Sequence, residues 1–142
     1  AVDARKKLII RSPDAVRPWQ HVLEPLSGYL MLAERLFVSG EKFSGAWNFG
    51  PEESDSQSVR WIVDRLCNKV AGSGWQLEKN VQPHEANTLK LDSSKAKSFL
   101  DWRPRWTLET ALDKTLDWFK AWESGATIAR MSLKQIADYE GQ

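Results

Sequence analysis

The chain has 142 residues and carries 20 Lys and Arg against 19 Asp and Glu, a net charge of +1 with the two signs interspersed. That length is one ordinary domain or a piece of a larger protein, and the charge pattern offers no basic stripe for nucleic acid. No apolar run approaches a membrane span, and the opening Ala-Val-Asp-Ala-Arg-Lys-Lys has no signal-peptide core. It also lacks an initiator Met, which suggests a chain that begins inside a longer protein, although processing would leave the same start. The single cysteine, Cys67, forms no internal disulfide and sits on an apolar helical pattern, so it reads as a packed, reduced thiol of a cytoplasmic protein. Eight tryptophans suit a core, or a sugar or nucleotide pocket, equally well.

Taken in order, Lys7-Leu-Ile-Ile-Arg11 reads as a short strand ending at the turn Ser-Pro-Asp. A loop carrying Arg17 follows, and a helix starts near Leu23 with Pro25 tolerated in its first turn. Leu23, Leu26, Tyr29, Leu30, Ala33, Leu36 and Phe37 recur at helical spacing and predict a buried face, with Ser39-Gly40 as the stop. Residues 45–50 predict a brief buried strand ending at Gly-Pro. Asp55 or Ser56 is a suitable cap for a second helix with the stripe Val59, Ile62, Val63, Leu66 and Val70. Ala-Gly-Ser-Gly closes it, and residues 75–78 predict another strand.

Residues 88–92 alternate outward and inward, after which Asp92 or Ser93 caps a short helix through Leu100. Residues 102–106 form a loop. A helix from Thr107 carries Leu108, Ala111, Leu112, Thr115, Phe119 and Trp122 on one stripe and ends at Gly125. A helical tail over residues 126–142 contains the amphipathic segment from Leu133 to Tyr139. The class is α/β, mostly helical with a few short strands, too few for a doubly wound sheet.

Chemistry-bearing motifs are sparse. A dinucleotide site needs a glycine-rich turn between a strand and a helix N-terminus, and Gly72-Ser-Gly74 follows a helix instead. No Tyr-x-x-x-Lys occurs, two histidines and one cysteine give no zinc spacing, and nothing marks a nucleophile elbow. The chain therefore offers no catalytic, cofactor-binding or metal-binding residue of its own. The one pointed feature is Arg17-Pro-Trp19. A guanidinium donates paired hydrogen bonds to an anion, and a backbone stiffened by Pro18 and packed down by Trp19 loses little entropy in doing so. A plain surface arginine beside a loop proline has the same composition.

Residues 17–30, Arg-Pro-Trp-Gln-His-Val-Leu-Glu-Pro-Leu-Ser-Gly-Tyr-Leu, closely resemble the C-terminal half of CDP-glucose 4,6-dehydratases, which are extended short-chain dehydrogenase/reductase enzymes. Trp47-Asn-Phe-Gly-Pro, Pro83-His-Glu-Ala and Leu89-Lys-Leu-Asp-Ser-Ser-Lys-Ala follow in the family order, and the similarity runs from Leu8 to about Trp122. The resemblance implies that residues 1–142 are the C-terminal, substrate-binding part of an extended Rossmann-type dehydratase whose N-terminal domain holds NAD.

By that resemblance Arg17 grips the diphosphate of a CDP-sugar, and Ile9 and Arg11 lie along the nucleoside; Arg11 also reads as an exposed strand-end charge. His21 would face the same side as Arg17 in an extended backbone, or be a core histidine satisfied by a carbonyl. Related enzymes carry Arg-Pro-Gly-Asp where this chain has Gln82-Pro-His-Glu85, so the second cation is missing and His84 would replace it. Glu85 would take ribose hydroxyls or orient Arg17, and Asp92 is a helix cap or a family position. The implied enzyme is a lyase that converts CDP-glucose to CDP-4-keto-6-deoxyglucose by internal NAD-dependent redox and loss of water, on the route to O-antigen sugars. It would be a homo-oligomer. Two other readings stand beside it: the substrate domain of another sugar-nucleotide epimerase or dehydratase, and a non-catalytic α/β interaction module.

Overall fold

A computed structural model of the chain describes residues 7–79 and 86–141. Strand β1 (Leu8–Ile10) is followed by β2 (Val16–Pro18), the long helix α1 (Leu23–Ser39), β3 (Ser56–Ser58) and α2 (Val59–Lys69). Then come β4 (Trp75–Leu77), the short α3 (Ser94–Phe99), α4 (Leu108–Glu123) and α5 (Ile128–Glu140). The strands form two separate ribbons: β1 pairs in parallel with β4, and β2 pairs antiparallel with β3. Mostly helical, with strands of three residues each, the chain has the α/β character that its sequence pattern implies.

The main core gathers Phe43, Phe49, Ala96, Leu100 and Trp102, flanked by Met31, Leu32 and Trp47. Its tightest contact is at Gly28 on α1, where a Cβ would lie 2.3 Å from the Phe49 ring. Only hydrogen fits there, so glycine sets how closely helix and core approach. Phe49 meets Trp102 edge-on at 5.1 Å, a favoured aromatic geometry. A second layer joins α4 to α5 through Trp118 Nε1 donating to Ser132 Oγ and Gln135 Nε2 donating to the Lys114 carbonyl.

Several expectations are corrected. The predicted apolar stripe of α1 faces outward: Leu26, Tyr29, Leu30, Leu36 and Phe37 are exposed, while Glu24 and Gly28 are buried. The small side of the helix admits the core closely, so it wins over the oilier side. Residues 45–50 form no strand, because Gly50 N donates to the Ser93 hydroxyl instead of a strand carbonyl. Helix α2 is capped by Ser58, whose Oγ accepts from Trp61 N; Asp55 closes a 3-10 turn upstream and Ser56 opens β3. Residues 88–92 are exposed throughout and contribute an isolated bridge, Thr88 with Val16, rather than a strand. On α4 the buried positions are Leu108, Ala111 and Leu116, with Thr115 and Trp122 exposed. On α5 they are Gln135 and Tyr139, and Leu133 faces out.

Candidate functional site

Arg17 sits in the middle of β2, opposite Gln57 of β3, so it is carried by a strand rather than the expected loop. Its Nη1 donates to the carbonyls of Val16 at 2.8 Å and Ala86 at 3.0 Å. Those bonds hold the head on the edge where Val16 also pairs with residues 87–89: Val16 N donates to the Asn87 carbonyl and Leu89 N to the Val16 carbonyl. A guanidinium has five donors in a fixed fork, a geometry suited to paired contacts with an anion.

The segment after Arg17 is tied down at Trp19, Gln20 and His21. Trp19 Nε1 donates to the Gln57 carbonyl, and Gln20 Nε2 to the Phe49 carbonyl. His21 is buried, its Nδ1 accepts from Leu23 N, and its ring meets Trp106 edge-on at 4.9 Å. Burial, with the nearby Lys114 charge, lowers the His21 pKa below the ordinary histidine value, so the ring is neutral at pH 7. It is a core histidine held by an amide, and no described contact joins it to Arg17. It also borders a cavity of about 290 Å³ lined by Thr115, Trp118, Ser132 and Ile136.

Ile9 and Arg11 lie on and just after β1, both exposed, on the ribbon that Arg17 does not share. The turn at residues 12–15 joins the two ribbons, with Ala15 N donating to the Ser12 carbonyl. His84 and Glu85 lie outside the described residues. Asp92 caps α3: its Oδ1 accepts from Ser94 N at 2.9 Å, and hydrogen bonds from Ser94 hold its carboxyl below the usual range. A cleft of about 450 Å³ beside the end of β2 is lined by Pro18, Ser56, Ser93, Lys90 and Lys97, with Lys90 paired to Glu53 and Lys97 to Glu52.

Sequence reasoning missed Glu24 in the first turn of α1. It is fully buried, and its carboxylate accepts from Trp106 N at 2.8 Å, Arg105 N at 3.0 Å and the Tyr139 hydroxyl at 2.7 Å. Ser27 Oγ takes the Trp102 indole N–H and lies 3.0 Å from the Tyr139 hydroxyl. Arg105 Nη1 donates to the Tyr139 carbonyl, a cation at the C-terminal end of α5. No local signal pointed to it, since its partners lie more than 80 residues away in the sequence.

The described residues do not fit a dinucleotide. The strand-to-helix junctions β2 to α1, β3 to α2 and β4 to α3 carry no glycine in sequence; Gly72, at φ +77°, follows α2 and leads into β4. Among the described residues no cluster could hold a metal ion, and no helix is long and apolar enough to cross a membrane.

No family model matches the chain. Over 135 residues, 94% of its length, it is 47% identical to a CDP-glucose 4,6-dehydratase of Salmonella typhimurium, and it spans 38% of that protein. In fold it is similar to the crystal structure of UDP-N-acetylglucosamine 4-epimerase from Bacillus cereus, with a TM-score of 0.55 and 19% identity, covering 80% of this chain and 38% of that one. The fold is thus shared with a sugar-nucleotide epimerase.

Proposed function

We propose that this relative of the CDP-glucose 4,6-dehydratases is the part of such an enzyme that holds the sugar nucleotide. The observation that carries the reading is Arg17. It stands in the segment by which the chain resembles these enzymes, on a strand whose neighbours leave it little freedom. A cation fixed in this way binds a diphosphate with little ordering cost, and each charge-assisted pair contributes about 1.5–3 kcal/mol. Arg11 at the end of β1 would meet the nucleoside, with Ile9 along it. His84 and Glu85 would complete the diphosphate and ribose contacts from the segment next to Ala86. His21, buried against Trp106, would serve the site only by anchoring the segment that joins β2 to α1.

On this reading the whole enzyme converts CDP-glucose to the 4-keto-6-deoxy sugar nucleotide with loss of water across C5 and C6, and the NAD it uses is held outside this chain. The chain supplies binding energy and position: gripping the diphosphate fixes where the sugar ring lies, and orientation of that kind lowers barriers by several kcal/mol, on the order of 7–11 at its upper range. Calorimetric titration with CDP, UDP and dTDP tests the reading. CDP should bind tightest. Preference for another base would move the protein to a different sugar-nucleotide enzyme, and failure of all three would favour an interaction module.

A further inference from the structure

The Glu24 carboxylate is fully buried. Removing a carboxylate from water costs several kcal/mol, and a well-packed apolar cluster of the same volume is commonly as stable. What a carboxylate adds is direction. Here two consecutive main-chain amides of the 102–106 loop and one hydroxyl from α5 converge on a single side chain in the first turn of α1. Three parts of the chain far apart in sequence are thereby fixed to one point.

That point is rigidly connected to Arg17. Glu24 N donates to the His21 carbonyl, and His21 packs on Trp106, whose own amide donates to Glu24. Gln20 and Trp19 are then tied to the Phe49 and Gln57 carbonyls, and Gln57 is the strand partner of Arg17. Trp19, Gln20 and His21 are thus each anchored between Arg17 and Glu24. We infer that Glu24, with Tyr139 behind it, is a positioning residue for Arg17: the buried carboxylate sets where α1 begins, and so where the guanidinium meets a diphosphate. The inference rests on the proposed function, since it assigns Glu24 a part in the same site without contact to the ligand. It also gives α5 a task, because Tyr139 completes the carboxylate's set of donors.

The test is a double-mutant cycle read by calorimetric titration with CDP, on the wild-type protein, Glu24→Gln, Tyr139→Phe, Arg17→Ala and the two doubles with Arg17→Ala. Glutamine keeps the shape but turns an NH₂ toward one of the donors. Displacing a binding group by about 1 Å costs up to a hundredfold, so Glu24→Gln should weaken CDP by at least about tenfold and Tyr139→Phe by about threefold. In the Arg17→Ala background neither change should weaken binding further, because their effect passes through that arginine. Circular dichroism verifies the fold of each variant, and Tyr139→Phe, which keeps the carboxylate, carries the test if Glu24→Gln does not fold. Wild-type affinity in Glu24→Gln or Tyr139→Phe, or losses that add to that of Arg17→Ala, would overturn the inference while leaving the proposed function standing. Wild-type affinity in Arg17→Ala itself would remove the proposed function and this inference together.

Discussion

Helix α1 has two faces of different kinds. The inner one holds Glu24 and Gly28, a charged group and a residue without a side chain, and it is buried. The outer one holds Leu30, at 73% exposure, and Phe37, at 93%, and it faces away from the core. Apolar content alone would invert the assignment. The comparison teaches that close approach and satisfied hydrogen bonds decide which side of a helix packs, and that hydrophobic periodicity finds the helix without finding its orientation.

The comparison can be broken from the inside. Trp102 is fully buried, edge-on to Phe49 and bonded to Ser27, so Trp102→Ala should lower unfolding free energy by about 3–5 kcal/mol. Denaturant titration measures it, and a loss under 1 kcal/mol would show the inner face to be loosely packed. Gly28→Ala should cost about 1–3 kcal/mol, because the Phe49 ring it would strike is itself wedged against Trp102 and Tyr29.

The polar part of the inner face has its own signature in pH. Burial, reinforced by the Glu24 carboxylate and opposed by Ser27, pushes the Tyr139 hydroxyl up from 10.0 to about 12. Above the ordinary tyrosine value the unfolded chain releases this proton and the folded one keeps it, so stability should fall from pH 10.0 up to about 12, and this component should vanish in Tyr139→Phe. His21 acts at the other end. Its lowered pKa means the unfolded chain takes up the proton first, so stability is present above the ordinary value of 6.5 and is lost as pH falls below it. Thermal melts across both ranges would show the two arms; a flat profile in either would remove the matching group from the buried knot. The smallest effect belongs to the outer face: Phe37→Ser should change stability by no more than about 0.5 kcal/mol in the same titration.

The sequence made the elements legible where local chemistry decides them. A strand within residues 7–11, the start of α1 near Leu23, a helix from about Thr107 and its stop at Gly125 follow from β-branching, proline, helical periodicity and glycine signals. It misled where tertiary contacts decide. Residues 45–50 alternate like a strand, yet Gly50 N donates to the hydroxyl of Ser93, which is distant in sequence. Ser58 caps α2 because Ser56 and Gln57 are needed in the ribbon with β2. Arg17 was visible as a candidate through its motif, although its place on a strand was not. Glu24 was invisible because its partners, Arg105, Trp106 and Tyr139, are more than 80 residues away and no local pattern announces them.

A crystal structure of the protein with CDP tests the central claim most directly. The Arg17 guanidinium should lie against the diphosphate at about 2.7–2.9 Å, the range of charge-assisted hydrogen bonds, with Glu24 still joined to Arg105, Trp106 and Tyr139. A nucleotide bound elsewhere, with its diphosphate out of reach of Arg17, would contradict it.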